Sequence, residues 1–349
     1  MPHRSHRRAQ FLLGLALAAG LTAAAPPAGA EAVRVEAAAM GSLFAVTAVH
    51  PDAAAAREAV DAAYAEIERI EAMISSWRET SETSAVNRAA GGDPVAVSPE
   101  LFGLIRRSLE VSKLTGGAFD VTFAGVGKLW DIEGHTTRVP PPEALAAALE
   151  TVDYRLVELD PEGRTVRLGR PGMRIGFGAI GKGFAANRAV HVLKERGVTG
   201  ALVDAGGDLV AFGRQEDGTP WTVGIADPTP RGQRRREGGV FGRLNVSDQA
   251  VVTSGDYERY VEIDGVRYAH ILDPRTGWPV RGVSSVTVIC PDGELADALA
   301  TSVFVLGPEE GLALVDRLRG VEALVIDDEG QIRVSANLRT LLSSEEDPS

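Results

Sequence analysis

Asp297 and Thr301 stand four residues apart in an apolar run whose spacing predicts a helix, so both side chains leave the same face. A carboxylate beside a hydroxyl suits a hard cation such as Mg²⁺, which takes oxygen ligands and usually keeps phosphate in its shell. Read blandly, the pair is one exposed acid and one back-bonded threonine. Two more polar clusters precede it. They are Thr253-Ser254-Gly255-Asp256-Tyr257-Glu258-Arg259 and His270-Ile271-Leu272-Asp273-Pro274-Arg275-Thr276-Gly277.

A second chemical signal is the run Gly176-Phe177-Gly178-Ala179-Ile180-Gly181-Lys182-Gly183. It follows a strand-like segment and opens a helix, where backbone N–H groups attract phosphate and Lys182 adds a point charge. The run also fits G-x-x-x-x-G-K, but Gly183 occupies the Ser/Thr position of a P-loop and has no hydroxyl for Mg²⁺. G-x-G-x-x-G fits at Gly176, Gly178 and Gly181, with Asp204 placed for a ribose as in a dinucleotide-binding unit. Against that, Arg174 interrupts the first strand and the chain is rich in hairpin signals. Glycines that merely let a helix approach a sheet are the remaining alternative.

The elements that must hold these groups can be sketched from periodicity and punctuation. Helices are expected at Ala53–Ile74, at Pro99–Leu114 with Ser98 as N-cap, and at Pro142–Leu149. Others are expected at Phe184–Arg196, Asp292–Val305 and Pro308–Leu318. Strands are expected at Arg155–Leu159, Thr165–Leu168, Met173–Phe177, Ala201–Val203, Leu209–Phe212 and Trp221–Ile225. More follow at Gln249–Thr253, Tyr260–Ile263, Val266–Ile271, Ser284–Ile289 and Ala323–Ile326. Asp160-Pro161-Glu162-Gly163 and Asp264-Gly265 read as hairpin turns. Strands outnumber helices and few are joined by crossovers. The fold class is therefore α+β with largely antiparallel sheet flanked by helices, and its lobes should pack closely because no linker separates them.

Residues 1–30 read as a cleaved signal peptide. Arg4, Arg7 and Arg8 precede the apolar Phe11–Ala25, and Ala28-Gly29-Ala30 is an Ala-x-Ala cleavage site. The apolar run is short for a spanning helix. The expectation is an exported, periplasmic protein, with no cysteine at the cleavage site for a lipid anchor; Arg7-Arg8 leaves Sec and twin-arginine export both open. Removing three arginines and no acid takes the net charge from −12 to −15, which argues against nucleic acid as a partner. The basic run Arg231-Gly232-Gln233-Arg234-Arg235-Arg236 reads as a solvated loop. Cys290 is the lone cysteine, so no intrachain disulfide forms and a buried thiol is expected. Residues 31–342 are read as the functional domain and 343–349 as a polar tail.

Taken together in order, the motifs resemble the ApbE family, the FAD:protein FMN transferases. They are Ala39-Met40-Gly41-Ser42; Ser75-Ser76-Trp77-Arg78 with Ser81-Glu82 and Asn87; Gly116-Gly117-Ala118-Phe119-Asp120-Val121-Thr122; the glycine loop; Asp204-Ala205-Gly206-Gly207-Asp208; and the three polar clusters. The resemblance covers nearly all of the mature chain and implies a two-lobed, T-fold-like α+β structure with the nucleotide between the lobes. It implies a flavin site using Met40, Trp77, Ala118, Phe119, Asp120, Lys182, His270 and Ile271, and a metal held by the Ala179 carbonyl, Asp297 and Thr301. Glu294, one turn earlier, is a further helper or a solvated surface acid.

The implied reaction consumes FAD with Mg²⁺ and places FMN on a Thr or Ser hydroxyl of an acceptor flavoprotein subunit in an exported or membrane redox complex, releasing AMP. Asp297 and His270 are the catalytic candidates, His270 as base because a neutral imidazole is available near neutral pH, with Asp273 and Asp256 as competitors. Arg275 and Thr276 either contact phosphate or acceptor or hold the turn after Pro274. An FAD-storage protein, or a pyrophosphatase giving FMN and AMP, is the alternative. The chain departs from the family pattern at Gly176, where an acid is common, at Ser42 for Thr and at Trp77 for Tyr.

Overall fold

Residues 31–132, 136–228 and 240–339 are described by the computed structural model. The expected signal peptide, the basic run at 231–236 and the tail at 343–349 lie outside those residues. The chain begins with β1 (Glu31–Ala39), β2 (Ser42–His50), α1 (Ala53–Ile74), α2 (Glu82–Arg88), β3 (Val95–Ala96), α3 (Pro99–Leu114), α4 (Ala124–Trp130) and α5 (Pro142–Leu149). A 3₁₀ turn at Tyr154–Leu156 leads to β4 (Val157–Asp160), β5 (Thr165–Leu168), α6 (Gly181–Glu195), β6 (Gly200–Ala205), β7 (Leu209–Gly213) and β8 (Trp221–Ala226). Then come β9 (Val240–Val246), β10 (Ala250–Gly255), β11 (Tyr260–Ile263), β12 (Val266–Ala269) and β13 (Val283–Cys290). The last elements are α7 (Gly293–Val315), β14 (Glu322–Asp327) and β15 (Ile332–Val334).

Eight strands form one sheet in the order β1-β2-β6-β7-β10-β13-β14-β15, and every neighbouring pair is antiparallel. This confirms the α+β reading. It removes the dinucleotide-binding alternative, which needs a parallel β-α-β unit after the glycine loop. The strand expected at Met173–Phe177 is not built; one bridge, Phe123 to Arg174, is all the pairing this segment makes.

The α1, α6 and α7 helices cover one face of the sheet through a cluster that includes Phe44, Val46, Ala63, Ile67, Leu193, Leu299, Val303 and Phe304. The apolar residues of α1 fall three and four apart, and Asp52 caps it by accepting from the amides of Ala54 and Ala55. The β8–β9 hairpin covers the other face, with Trp221, Val223 and Leu244 against Val49, Ala211 and Ile289. A second lobe joins α3, β4, β5 and the segment through Ile175, and a smaller cluster joins α4 and α5 to the β11–β12 hairpin. Asp264 and Gly265 both have positive φ, 52° and 72°, as a two-residue hairpin turn requires.

Among the expected boundaries that move, two bear on the site. The α6 helix starts at Gly181, three residues earlier than Phe184, which brings Lys182 into its first turn. The two helices expected at the C-terminal side are two arms of α7, broken at Gly307, whose φ of 79° precedes Pro308. By length and apolarity α7 could cross a membrane, but its buried residues, from Ala296 to Phe304, pack against the sheet.

Candidate functional site

Strands β7 and β10 pair only at Val210–Ala250 and Leu209–Val251. Beyond these pairs β10 continues to Gly255 beside β13 alone. Leu209, Thr253 and Ser254, at this parting of the strands, line a cavity of about 1070 Å³. The start of α6, α7, α4 and the residues after β12 supply other walls.

The α6 and α7 walls meet closely. A Cβ at Gly183 would stand 2.1 Å from the Gly293 carbonyl oxygen and 2.8 Å from Asp297 Cβ. Glycine is therefore required here for helix packing. The Gly183 amide donates to Asp297 Oδ2 at 2.9 Å. Asp297 is buried, and Thr301 and Ala179 share the cavity wall with it. Thr301 Oγ1 lies 3.4 Å from Ser254 Oγ. Among the described residues no group of three or more His, Cys, Asp and Glu side chains is arranged to hold an ion. A site built here would instead combine one carboxylate with a hydroxyl and a carbonyl, all hard oxygen donors.

Lys182 Nζ lies 2.7 Å from Asp208 Oδ2. Burial works against the ammonium, but the charges of Asp208 and Asp297 outweigh it and raise its pKa. Burial pushes the Asp297 carboxyl upward, and the nearby Asp208 charge adds to this while Lys182 opposes it. Burial likewise raises Asp208, against the pull of Lys182. The three groups form a buried arrangement of two acids and one cation in which a further positive charge would be welcome.

Trp77 is 75% exposed, so it is not a core residue, and Lys128 Nζ sits 5.2 Å from its ring centre. Ala118 and Phe119 are largely buried residues of the wall. Asp120 accepts from the Thr122 amide at 2.8 Å, the Thr122 hydroxyl at 2.6 Å and the Tyr154 amide at 3.0 Å. Its oxygens thus hold the turn together, whatever else the residue meets. Burial raises its pKa against these bonds. Gly176 is on the wall, and a Cβ there would be 3.0 Å from Ala124 Cβ, so α4 occupies the space that a side chain would need.

His270 Nδ1 lies 3.1 Å from the Arg259 carbonyl oxygen, which can only accept, so this nitrogen carries the proton. Burial pushes the imidazole down to about 4, and the ring is neutral at pH 7. Ile271 is buried beside it.

Ten of the eleven expected site residues therefore line one cavity; Met40 does not. It sits in the β1–β2 turn at φ 51°, donates its amide to Glu71 Oε2 at 3.1 Å, and packs its methyl toward Gly181. Asp273 is held by Arg275 in two contacts of 2.9 Å, which makes Arg275 a turn-holding residue. Asp256 faces Arg267 at 3.7 Å. Neither acid lines the cavity. Glu294 is neither solvated nor on the wall; it is buried and paired with Arg107 at 3.4 Å. Glu258, Asp208 and Ser254 carry no assigned role from sequence, although their clusters were visible as polar runs.

Residues 40–325 match the model of the ApbE family. The chain is 38% identical over 300 residues to the FAD:protein FMN transferase of Treponema pallidum (strain Nichols), covering 82% of each chain. It is 30% identical over 348 residues to an FAD:protein FMN transferase of Klebsiella pneumoniae (strain 342), covering 97% of this chain and 98% of the other. Its fold is similar to the crystal structure of the ApbE protein of Thermotoga maritima, with TM-score 0.79, 32% identity, and 89% and 99% of the two chains covered. The flavin transferase ApbE of Vibrio cholerae superposes with the same TM-score of 0.79 at 29% identity, again covering 89% and 99%.

Proposed function

The chain belongs to the ApbE family, and from that premise we propose that it is an exported, Mg²⁺-dependent FAD:protein FMN transferase. It takes FMN from FAD, joins it to a Thr or Ser hydroxyl of an acceptor flavoprotein subunit in an exported or membrane redox complex, and releases AMP.

The observation that carries this reading is the α6–α7 junction. There a buried carboxylate, Asp297, is clamped by the Gly183 amide on the same wall as Thr301, Ala179 and Lys182. This donor set fits Mg²⁺. A buried acid that is pushed toward its neutral form, with a hydroxyl and a carbonyl oxygen on the same wall, gains from a hard cation. When bound there, Mg²⁺ supplies neutralisation of the charge that builds on the diphosphate oxygens.

The chain's own residues do the rest. The first turn of α6 offers backbone amides and the Lys182 ammonium to phosphate. Trp77 offers a flat face to an aromatic ring at the cavity mouth. His270 is fixed by the Arg259 carbonyl and presents a neutral ring, with Nε2 as its remaining hydrogen-bonding atom. The cavity holds donor and acceptor groups together, which removes the entropy cost of their encounter from the chemical step.

Incubation with FAD, Mg²⁺ and the soluble flavin-carrying subunit of a membrane redox complex tests the proposal. A fluorescent acceptor band that survives denaturation supports transfer. Free FMN and AMP with no labelled acceptor would make the protein a pyrophosphatase, and bound but unchanged FAD would make it a store.

A further inference from the structure

The first turn of α6 meets two acids, and each takes a different group from it. Asp297 accepts from the backbone amide of Gly183 at 2.9 Å. Asp208 takes the side chain of the residue before, with Oδ2 2.7 Å from Lys182 Nζ. Resting on the FAD site of the transferase reading, we propose that Asp208 is a positioning residue. It fixes the Lys182 ammonium for the diphosphate and keeps it off Asp297.

The β6–β7 turn holds this carboxylate in place. Asp208 is the last residue of the turn and is 2% exposed. The Ala205 amide donates to the Asp208 carbonyl at 2.8 Å, and the Gly207 amide to Asp204 Oδ1 at 2.7 Å. Between them Gly206 and Gly207 take φ of 70° and 101°, where a side chain would be strained. Just past Asp208, Leu209–Val251 is the final pair between β7 and β10. The β7 strand does not reach Thr253, whose amide turns to the Asp208 carboxylate instead. One buried acid thus closes the gap between the two strands and holds a cation at the cavity.

Lysine needs such a hold. Its long stem rotates freely, so the ammonium sits where its contacts put it. The pair is closed behind and open in front: the Asp208 side chain is 3% exposed and that of Lys182 24%. One N–H faces the acid, and the others are left for phosphate oxygens. Asp208 and Asp297 both attract this ammonium. Without the Asp208 charge, Asp297 is the stronger remaining pull. An ammonium drawn there would cover the carboxylate oxygens that a hard cation would use. The rival role for Asp208 is purely structural, tying the turn to β10 through Thr253.

FAD affinity, read by fluorescence titration in EDTA, separates the two roles. Lys182→Met should weaken FAD binding by about tenfold to a hundredfold, the range for a charge-assisted contact. Asp208→Asn keeps the volume and an acceptor for the Thr253 amide but loses the charge. It should weaken FAD binding about tenfold, within the same range. In a Lys182→Met background the same change should cost nothing, because no ammonium is left to place and one negative charge fewer faces the diphosphate. Urea midpoints show which variants are folded; should Asp208→Asn not fold, Asp208→Ser takes its place in both backgrounds. A crystal structure of the folded variant should show the Lys182 ammonium turned toward Asp297. An equal loss of affinity in both backgrounds overturns the proposal in favour of the structural role. Unchanged affinity in either single variant, or an ammonium still in its wild-type place, overturns it as well. A wild-type protein that binds FAD yet labels no acceptor overturns the transferase reading and leaves this assignment standing.

Discussion

The backbone amide of Gly183 and the carboxylate of Asp297 are joined by a hydrogen bond of 2.9 Å, 114 residues apart in sequence. It forms because neither helix has a side chain at the crossing: Gly183 sits against the Gly293 carbonyl, and a Cβ on Gly293 would lie 2.6 Å from Val210 Cγ2. The glycine that spoils a P-loop reading is thus the residue that lets a carboxylate from α7 reach the phosphate-attracting end of α6.

Gly183→Ala should force the two helices apart. Overpacking of this kind costs about 1–3 kcal/mol, read as a lower urea midpoint. Mg²⁺ affinity should fall with it, because Asp297 loses its clamp. A variant with wild-type stability and Mg²⁺ response would mean that the crossing is loose.

Asp297→Asn keeps the volume and can still accept from Gly183, but carries no charge. AMP release and FMN transfer should fall by about two powers of ten, the scale of a few kcal/mol of lost charge stabilisation. Added Mg²⁺ should not restore them. A saturable Mg²⁺ response like that of the wild type would remove Asp297 from the metal site.

Trp77→Ala should leave the melting temperature nearly unchanged, since the ring is 75% exposed. FAD should bind about tenfold more weakly, within the ~1–3 kcal/mol expected for one lost stacking surface. Fluorescence titration with FAD checks this; unchanged affinity would leave the ring without a ligand.

Glu294 should make the protein less stable as pH rises. Burial lifts its carboxyl from 4.5 to about 7, against the pull of Arg107, with Asp292 and Glu110 adding to the rise. A raised carboxyl favours the folded state at low pH, and that contribution is lost as pH climbs from about 4.5 through 7. Glu294→Gln should flatten this dependence by on the order of 2 kcal/mol between pH 5 and 8. Urea melts at both pH values decide; parallel curves for the two proteins would refute it.

Much of the local structure was readable. The α1, α3 and α5 boundaries coincide with the apolar spacing and caps that predict them, and Ser98 accepts from the Leu101 amide at 3.2 Å as an N-cap should. The Asp264-Gly265 turn is equally local. By contrast, β1 (Glu31–Ala39) is rich in alanine, a weak strand former, and α2 and α4 are seven residues long, α4 with two glycines, so none of the three announces itself.

The site was legible as a set of residues but not as a geometry. Periodicity placed Asp297 and Thr301 on one face, and the resemblance named most of the wall. The parting of β7 and β10, the burial of Glu294 and the commitment of Asp120 to its own turn depend on contacts between distant segments. The same holds for Glu258. It lies one residue before Arg259 in a run noted for its polarity, yet only the fold shows that it lines one cavity with Lys182 and Asp208.

The wall draws on Ser42 in the second strand and on Thr301 in the last helix, with the middle of the chain between them. A chain halted during synthesis short of α7 would have the cradle for phosphate but no Asp297 or Thr301, and one clipped after β2 would lose a strand from inside the sheet. On the transferase reading, unfinished or damaged copies would therefore be inert.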